Sequence, residues 1–191
     1  MMELLTPTGR IVQGTPFTYS STNEKGVPLT FRDGSPRKSY WFSMSVKKTN
    51  KKMNEFIDCL VSAAKADYPD HAASIKFPLD FFSWKVLDGD DEEWSSRDGW
   101  AGCWILKFQT SFPPQVLNAA TKEEILIPDQ FKTGDYAQVY VRVGGNGNEF
   151  KRNSKPGIYL NQLAVCKIAD GDPIQNKPDY SSVFNKINDD L

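Results

Sequence analysis

Hydrophobic and polar positions alternate with a period of two along much of this chain, and that period belongs to half-buried β-strands. In "YWFSMSV", Tyr40, Phe42, Met44 and Val46 fall on one face, with Trp41, Ser43 and Ser45 on the other. "WILKF" places Trp104, Leu106 and Phe108 opposite Ile105 and Lys107, and "YAQVYVRV" sets Ala137, Val139, Val141 and Val143 against Tyr136, Gln138, Tyr140 and Arg142. "GIYLNQLAVCKI" reads as the strand returning from it. One segment changes period. From a cap at Thr49, apolar residues recur at Met53, Phe56, Ile57, Leu60, Val61 and Ala64, in steps of three and four. That spacing predicts one amphipathic helix over about 50–66, with Lys52, Glu55, Asp58, Ser62 and Lys65 facing water. "DYPD" (Asp67 to Asp70) stops it, because a proline disfavours helical geometry in the residue before it.

The first forty residues carry Pro and Gly in "TPTGRIVQGTPF", "NEKGVP" and "RDGSP", which predicts short strands and loops. "TKEEILIPDQFKTGDY" reads as a short strand or turn of helix followed by a turn. From about Gly171 the periodicity fades and Asp, Asn and Pro accumulate. The expectation is therefore a mainly β domain over 1–174, a small closed barrel or sandwich with one inserted helix, and a mildly acidic tail over 175–191.

Composition narrows the function classes. A chain of 191 residues buries roughly 70% of its unfolded surface, so it needs no metal or disulfide staple. Cys59, Cys103 and Cys166 are odd in number and lack C-x-x-C spacing, which points to reduced thiols in a cytoplasmic setting. No signal peptide or membrane-spanning run is visible. His71 is the only histidine, no nucleophile motif or phosphate loop occurs, and neither a cofactor nor catalysis is expected. The acidic run Asp88 to Glu93 holds five acids in six positions, but its spacing is not that of an EF-hand, and such a loop ordinarily faces water. With a formal net charge of -1, any anion-binding surface must come from charge gathered on one side.

Two stretches gather it. The polar face of "YAQVYVRV" shows Tyr136, Tyr140 and Arg142 where a solvated strand would carry Thr, Ser or Lys, and the Gly/Asn loop after it adds Lys151, Arg152 and Lys155. Rings beside a guanidinium make a surface on which unpaired bases stack while phosphates meet positive charge. The same pattern is also compatible with a second buried sheet face. Around "YWF", Arg37, Lys38, Lys47, Lys48, Lys51 and Lys52 supply six positive charges, with no acid between Asp33 and Glu55. Basic residues interleaved with aromatics are the footprint of nucleic-acid binding, although Lys51 and Lys52 also stand where a helix start faces water. Trp41, Lys107 and Tyr159 join the candidates. So do Trp84, Trp100 and Trp104, although tryptophan is mostly a buried residue. The loop from Gly144 to Pro156 reads as a mobile basic arm. A β-module binding oligosaccharide or protein through the same aromatics is the competing expectation.

The order of features resembles a known family. "VKKTNKKMNEFIDCLVSAAK", "PLDFFSWKVLDGDDEEW", "GWAGCWILKF" and "GDYAQVYVRV…KPGIYLNQLAVCKIADGDPI" are similar, from Gly9 to Ile174, to tailed-phage single-stranded-DNA-binding proteins. The resemblance implies an OB-fold barrel with single-stranded DNA in a groove across its strands, bound largely without sequence preference. It implies strand-face contacts at Tyr136, Tyr140 and Arg142, with the Lys151–Lys155 loop at the groove edge. It also implies a role in phage replication or recombination, with the C-terminal tail recruiting phage or host proteins of those processes. Here the tail ends in only Asp189 and Asp190, with Lys186 nearby. Monomer and homodimer both stay open.

Overall fold

The computed structural model describes residues 2–174. Eight strands and one long helix follow in the order β1 (Met2–Leu5), β2 (Gly9–Ser20), β3 (Ser39–Lys47), α1 (Lys51–Asp67), β4 (Val86–Asp88), β5 (Cys103–Thr110), β6 (Gln115–Asn118), β7 (Tyr136–Gly145) and β8 (Ile158–Ala169). The strands form one sheet ordered β4-β5-β3-β2-β7-β8-β6, with β1 added alongside β7. Every pairing is antiparallel except that of β6 with β8.

The helix begins one residue later than the sequence predicts. Asn50, not Thr49, accepts the Lys52 amide, and Tyr68 closes the other end with its N–H on the Ala64 carbonyl. Met53, Phe56, Ile57, Leu60, Ala63 and Ala64 are its buried residues. They pack on the inward faces of the strands, among them Phe42, Met44 and Val46 of β3, Leu106 and Phe108 of β5, and all four aliphatic residues of β7. Phe42 and Phe108 meet across the β3–β5 pair at 4.8 Å. A second cluster lies on the other face of the sheet. There Val12, Cys103 and Ile105 are covered by Trp100 and Ile174, so the 89–102 loop and the last described residue roof part of the outer face of β5.

The sheet is not closed by strand pairing, so the expected closed barrel is not confirmed. β5 and β8 share no ladder, because β5 pairs with β4 on its second edge and β8 pairs with β6 on its own. Among the described residues the main-chain pairing between the two margins is one isolated bridge, Ser83 to Gly157. It consists of Ser83 N–H to the Pro156 carbonyl at 2.8 Å and Ile158 N–H to the Ser83 carbonyl at 3.0 Å. Gly157 is required there, since a Cβ would lie 2.4 Å from the Ser83 oxygen.

Candidate nucleic-acid interface

The register of β3 against β5 pairs Trp41 with Gln109 and Ser43 with Lys107, all on the face turned away from the core. Trp41 is half-buried, donates from Nε1 to Ser20 Oγ at 3.2 Å, and sits over Gly14, which adopts φ 64° at a bulge in β2. A Cβ at Gly14 would stand 3.2 Å from the indole, so the bulge is what lets the ring lie down. Gln109 is held by Ser39 Oγ at 2.7 Å. Arg37 reaches over from the 21–38 loop, donating from Nη1 to Ser111 Oγ at 3.2 Å, while its Nε is buried without a partner. Together these side chains line a cleft of about 470 Å³ under that loop. At its margin Lys38 lies 4.1 Å over the Tyr19 ring.

The same outer surface continues past β5. Lys107 donates its backbone N–H to the Lys85 carbonyl at 2.8 Å, and the Lys85 ammonium stands 5.5 Å over the ring of Tyr159 on β8. Lys85 occupies the left-handed region at φ 58°. Burial first, then the neighbouring Lys107 charge, pushes the Lys85 ammonium below the ordinary lysine value. Neither lysine has an acidic partner among the described residues.

The loop after β7, expected to be a mobile arm, makes a set of ring and hydrogen-bond contacts. Phe150 stacks on His71 at 4.5 Å and 12°, and touches Tyr68, Phe81 and Phe82. Lys155 takes φ 48°, and its carbonyl accepts from the side chains of Asn146 and Asn148. Arg152 lies 5.7 Å over the Phe81 ring, and Lys151 pairs with Glu149 at 2.6 Å. The loop therefore presents its cations from an aromatic base beside Tyr159.

Tyr136, Tyr140 and Arg142 do face outward from β7, with Tyr140 40% exposed. They stand two strands away from Trp41, across β2, and β1 runs beside them. Glu3, opposite Arg142 in the register, accepts from Tyr140 Oη at 2.6 Å and from Arg142 Nη2 at 2.8 Å. The bonds from Tyr140, then Arg142, hold the Glu3 carboxyl below its usual value, and the Glu3 bond raises the Tyr140 phenol. Tyr159 continues this outward face on β8, because it lies opposite Gly144 and two pairs along from Arg142 and Asn161.

Several candidates are corrected by burial or by partners. Trp84 and Trp100 are 4% and 2% exposed, so both are core residues and neither offers a ring to a ligand. Trp104 is half-buried, edge-on to Phe77, with Lys48 over its ring at 4.8 Å. Lys48 is clamped by Asp88 and Asp90, which gives the acidic run a structural task rather than simple exposure. Lys47 is exposed but stands opposite Cys103, beyond the roofing loop and away from Trp41. Lys85, Gln109 and Glu3 were not among the candidates. A left-handed lysine in "SWKV" leaves no trace in hydrophobic period, and "MELL" looks like a frayed start. Among the described residues no group of three or more His, Cys, Asp or Glu side chains could hold a metal ion, and no helix is long and apolar enough to cross a membrane.

The class these features define is a mainly β protein with one principal helix, whose outward faces display exposed rings and cations. Residues 26–191 match the family described as Enterobacter phage Enc34, ssDNA-binding protein, and the chain belongs to that family. Solved structures agree in fold. The single-stranded DNA-binding protein from bacteriophage Enc34 in complex with ssDNA superposes with a TM-score of 0.61 at 20% identity, covering 91% of this chain and 89% of that one. Its C-terminal truncation gives 0.64 at 20% identity over 90% and 88%. The crystal structure of gp2.5, a single-stranded DNA-binding protein encoded by bacteriophage T7, gives 0.55 at 12% identity over 94% and 98%. No curated protein matches the chain.

Proposed function

We propose that this protein binds single-stranded DNA, without catalysis and largely without sequence preference, along the outer face of β3 and β5. The observation that carries this is the run Trp41, Lys107, Lys85 and Tyr159 on one outer surface, between the basic 21–38 and 144–157 loops. In this assignment β2, β3, β5, β7 and β8 take the places of the five strands of an OB fold. The two loops then flank the face that such folds use for oligonucleotides. The bridge at Gly157 stands where an OB barrel would close.

Chemistry follows from the side chains. Trp41 and Tyr159 offer rings to unpaired bases, each stack being worth about 1–3 kcal/mol and indifferent to base identity. Lys85, Lys107 and the loop cations meet phosphates and release condensed counterions, which lowers affinity by roughly 0.7 decade per decade of salt for each phosphate neutralised. Tyr136, Tyr140 and Arg142 border the path beyond Tyr159 and contribute less, because Glu3 already satisfies two of them. Residues 1–174 act as the binding domain. The 175–191 tail, which lies outside the described residues, is the assigned contact for phage or host replication and recombination proteins.

The test is a titration with oligo-dT followed by tryptophan fluorescence. Quenching that salt reverses is expected. A signal indifferent to salt would point instead to a neutral ligand such as an oligosaccharide, and no response to oligo-dT at low salt would overturn the assignment.

A further inference from the structure

Among the described residues, Lys85 and Lys107 are the cations without a carboxylate partner that the main chain holds as a pair. Lys48, Lys151 and Lys167 each have a carboxylate within 3 Å, as does Arg142. These two lysines have none among the described residues, yet the main chain ties them together through Lys107 N–H and the Lys85 carbonyl. The fold places them side by side at a cost, since Lys85 takes a left-handed φ that a lysine rarely adopts. Two like charges, one of them partly desolvated, are disfavoured unless something negative lies between them.

We infer that Lys85 and Lys107 together form a subsite for one backbone phosphate diester, with Tyr159 stacking the adjoining base. This rests on the DNA-binding function proposed above and assigns the chemistry at one point of the path. The ring of Tyr159 is 41% exposed and lies 5.5 Å from the Lys85 ammonium, so base and phosphate are recognised side by side. From this left-handed position the Lys85 side chain lies across the seam over the ring on β8. A phosphate there offsets both causes of the lowered Lys85 basicity, burial and the Lys107 charge, so binding is accompanied by proton uptake at alkaline pH.

The experiment compares the full chain with Lys85→Asn, Lys107→Gln and the double variant, measuring oligo-dT affinity across a salt series. Asparagine tolerates the left-handed region, and Lys85→Gly serves if Lys85→Asn loses its fold by circular dichroism. The double variant is expected to bind about tenfold more weakly, the scale of a charge-assisted contact. Its salt slope should fall by about 0.7, the value for one phosphate. A fall near 1.4 would mean that each lysine holds its own phosphate and would overturn the shared subsite. Unchanged affinity and slope, with Trp41→Ala still weakening binding, would remove the subsite and leave the groove standing. If Trp41→Ala were also without effect, the groove assignment itself would fail. An oligo-dT whose phosphates are replaced by neutral methylphosphonates should bind wild type and double variant alike, and inorganic phosphate should compete only weakly.

Discussion

At the scale of single residues, the proposed binding face separates outward rings from buried ones. Trp41 lies on the outer face with its indole N–H already bonded to Ser20, so removing it deletes a platform without orphaning a core group. Trp41→Ala is therefore expected to weaken oligo-dT binding by about 1–3 kcal/mol with the circular dichroism unchanged. The paired substitution Tyr140→Ala with Arg142→Ala should cost less, because the guanidinium and the phenol are both engaged by Glu3. Fluorescence polarisation at matched salt ranks the two. A larger loss from the Tyr140/Arg142 pair would move the path onto the outer wall of β7. The alternation in "YAQVYVRV" correctly put these side chains outside, yet it said nothing of Glu3, whose strand is visible only as a partner of β7. Tryptophan count misled in the opposite direction. Trp84 and Trp100 belong to two separate clusters, and no local pattern distinguishes a ring that roofs a sheet from one displayed on it.

At the scale of elements, two contacts hold the site in place and each can be broken separately. Gly157 carries the bridge that joins the β8 margin to the segment bearing Lys85. A Cβ there would meet the Ser83 oxygen at 2.4 Å and its Cβ at 2.6 Å, both close to main chain with little room to give. Gly157→Ala is expected to lower stability by about 1–3 kcal/mol, the range for overpacking. It should weaken oligo-dT binding as well, which thermal melts and titration together would show. The 89–102 loop is fastened by charge. Lys48 bonds to Asp88 and Asp90, and Asp90 also accepts the Gly102 N–H at 2.6 Å. The bond from Lys48, then that from Gly102, holds the Asp90 carboxyl below the 3.8 usual for aspartate. A lowered carboxyl stabilises the fold above its unfolded value and loses that contribution as pH falls through the folded one. Acidification below about pH 4 should therefore loosen the loop and change the fluorescence of Trp94 and Trp100, which stack within it at 5.5 Å. Asp90→Asn should show the loosened signal already at neutral pH; identical acid titrations of the two proteins would dismiss the fastening. The period of the sequence located α1 and four strands, because amphipathic faces are local. It missed the parallel β6–β8 pair and the anchoring of Phe150 on His71, which depend on contacts between distant segments.

At the scale of the whole molecule, a net charge of -1 means that long-range attraction cannot hold DNA; only the local field of the wall can. The described cations on that wall include Lys85 with Lys107, then Lys25, Arg37, Lys38, Arg152 and Lys155, while Lys48, Lys151 and Arg142 are bound to carboxylates. Counting Lys85 and Lys107 as one contact leaves about six phosphates, which sets a salt slope of roughly 4 decades per decade. Duplex DNA offers the same phosphates but keeps its bases stacked on one another, so Trp41 and Tyr159 gain nothing from it. A duplex competitor should consequently displace oligo-dT poorly at moderate salt, and an abasic oligomer should retain most of the slope while losing much of the affinity. These two measurements separate charge from stacking, since the slope reports phosphates neutralised and the intercept reports rings engaged. A slope near zero would mean that the cations of the wall do not meet the strand. Equal affinity for the abasic oligomer would mean that the exposed rings do not.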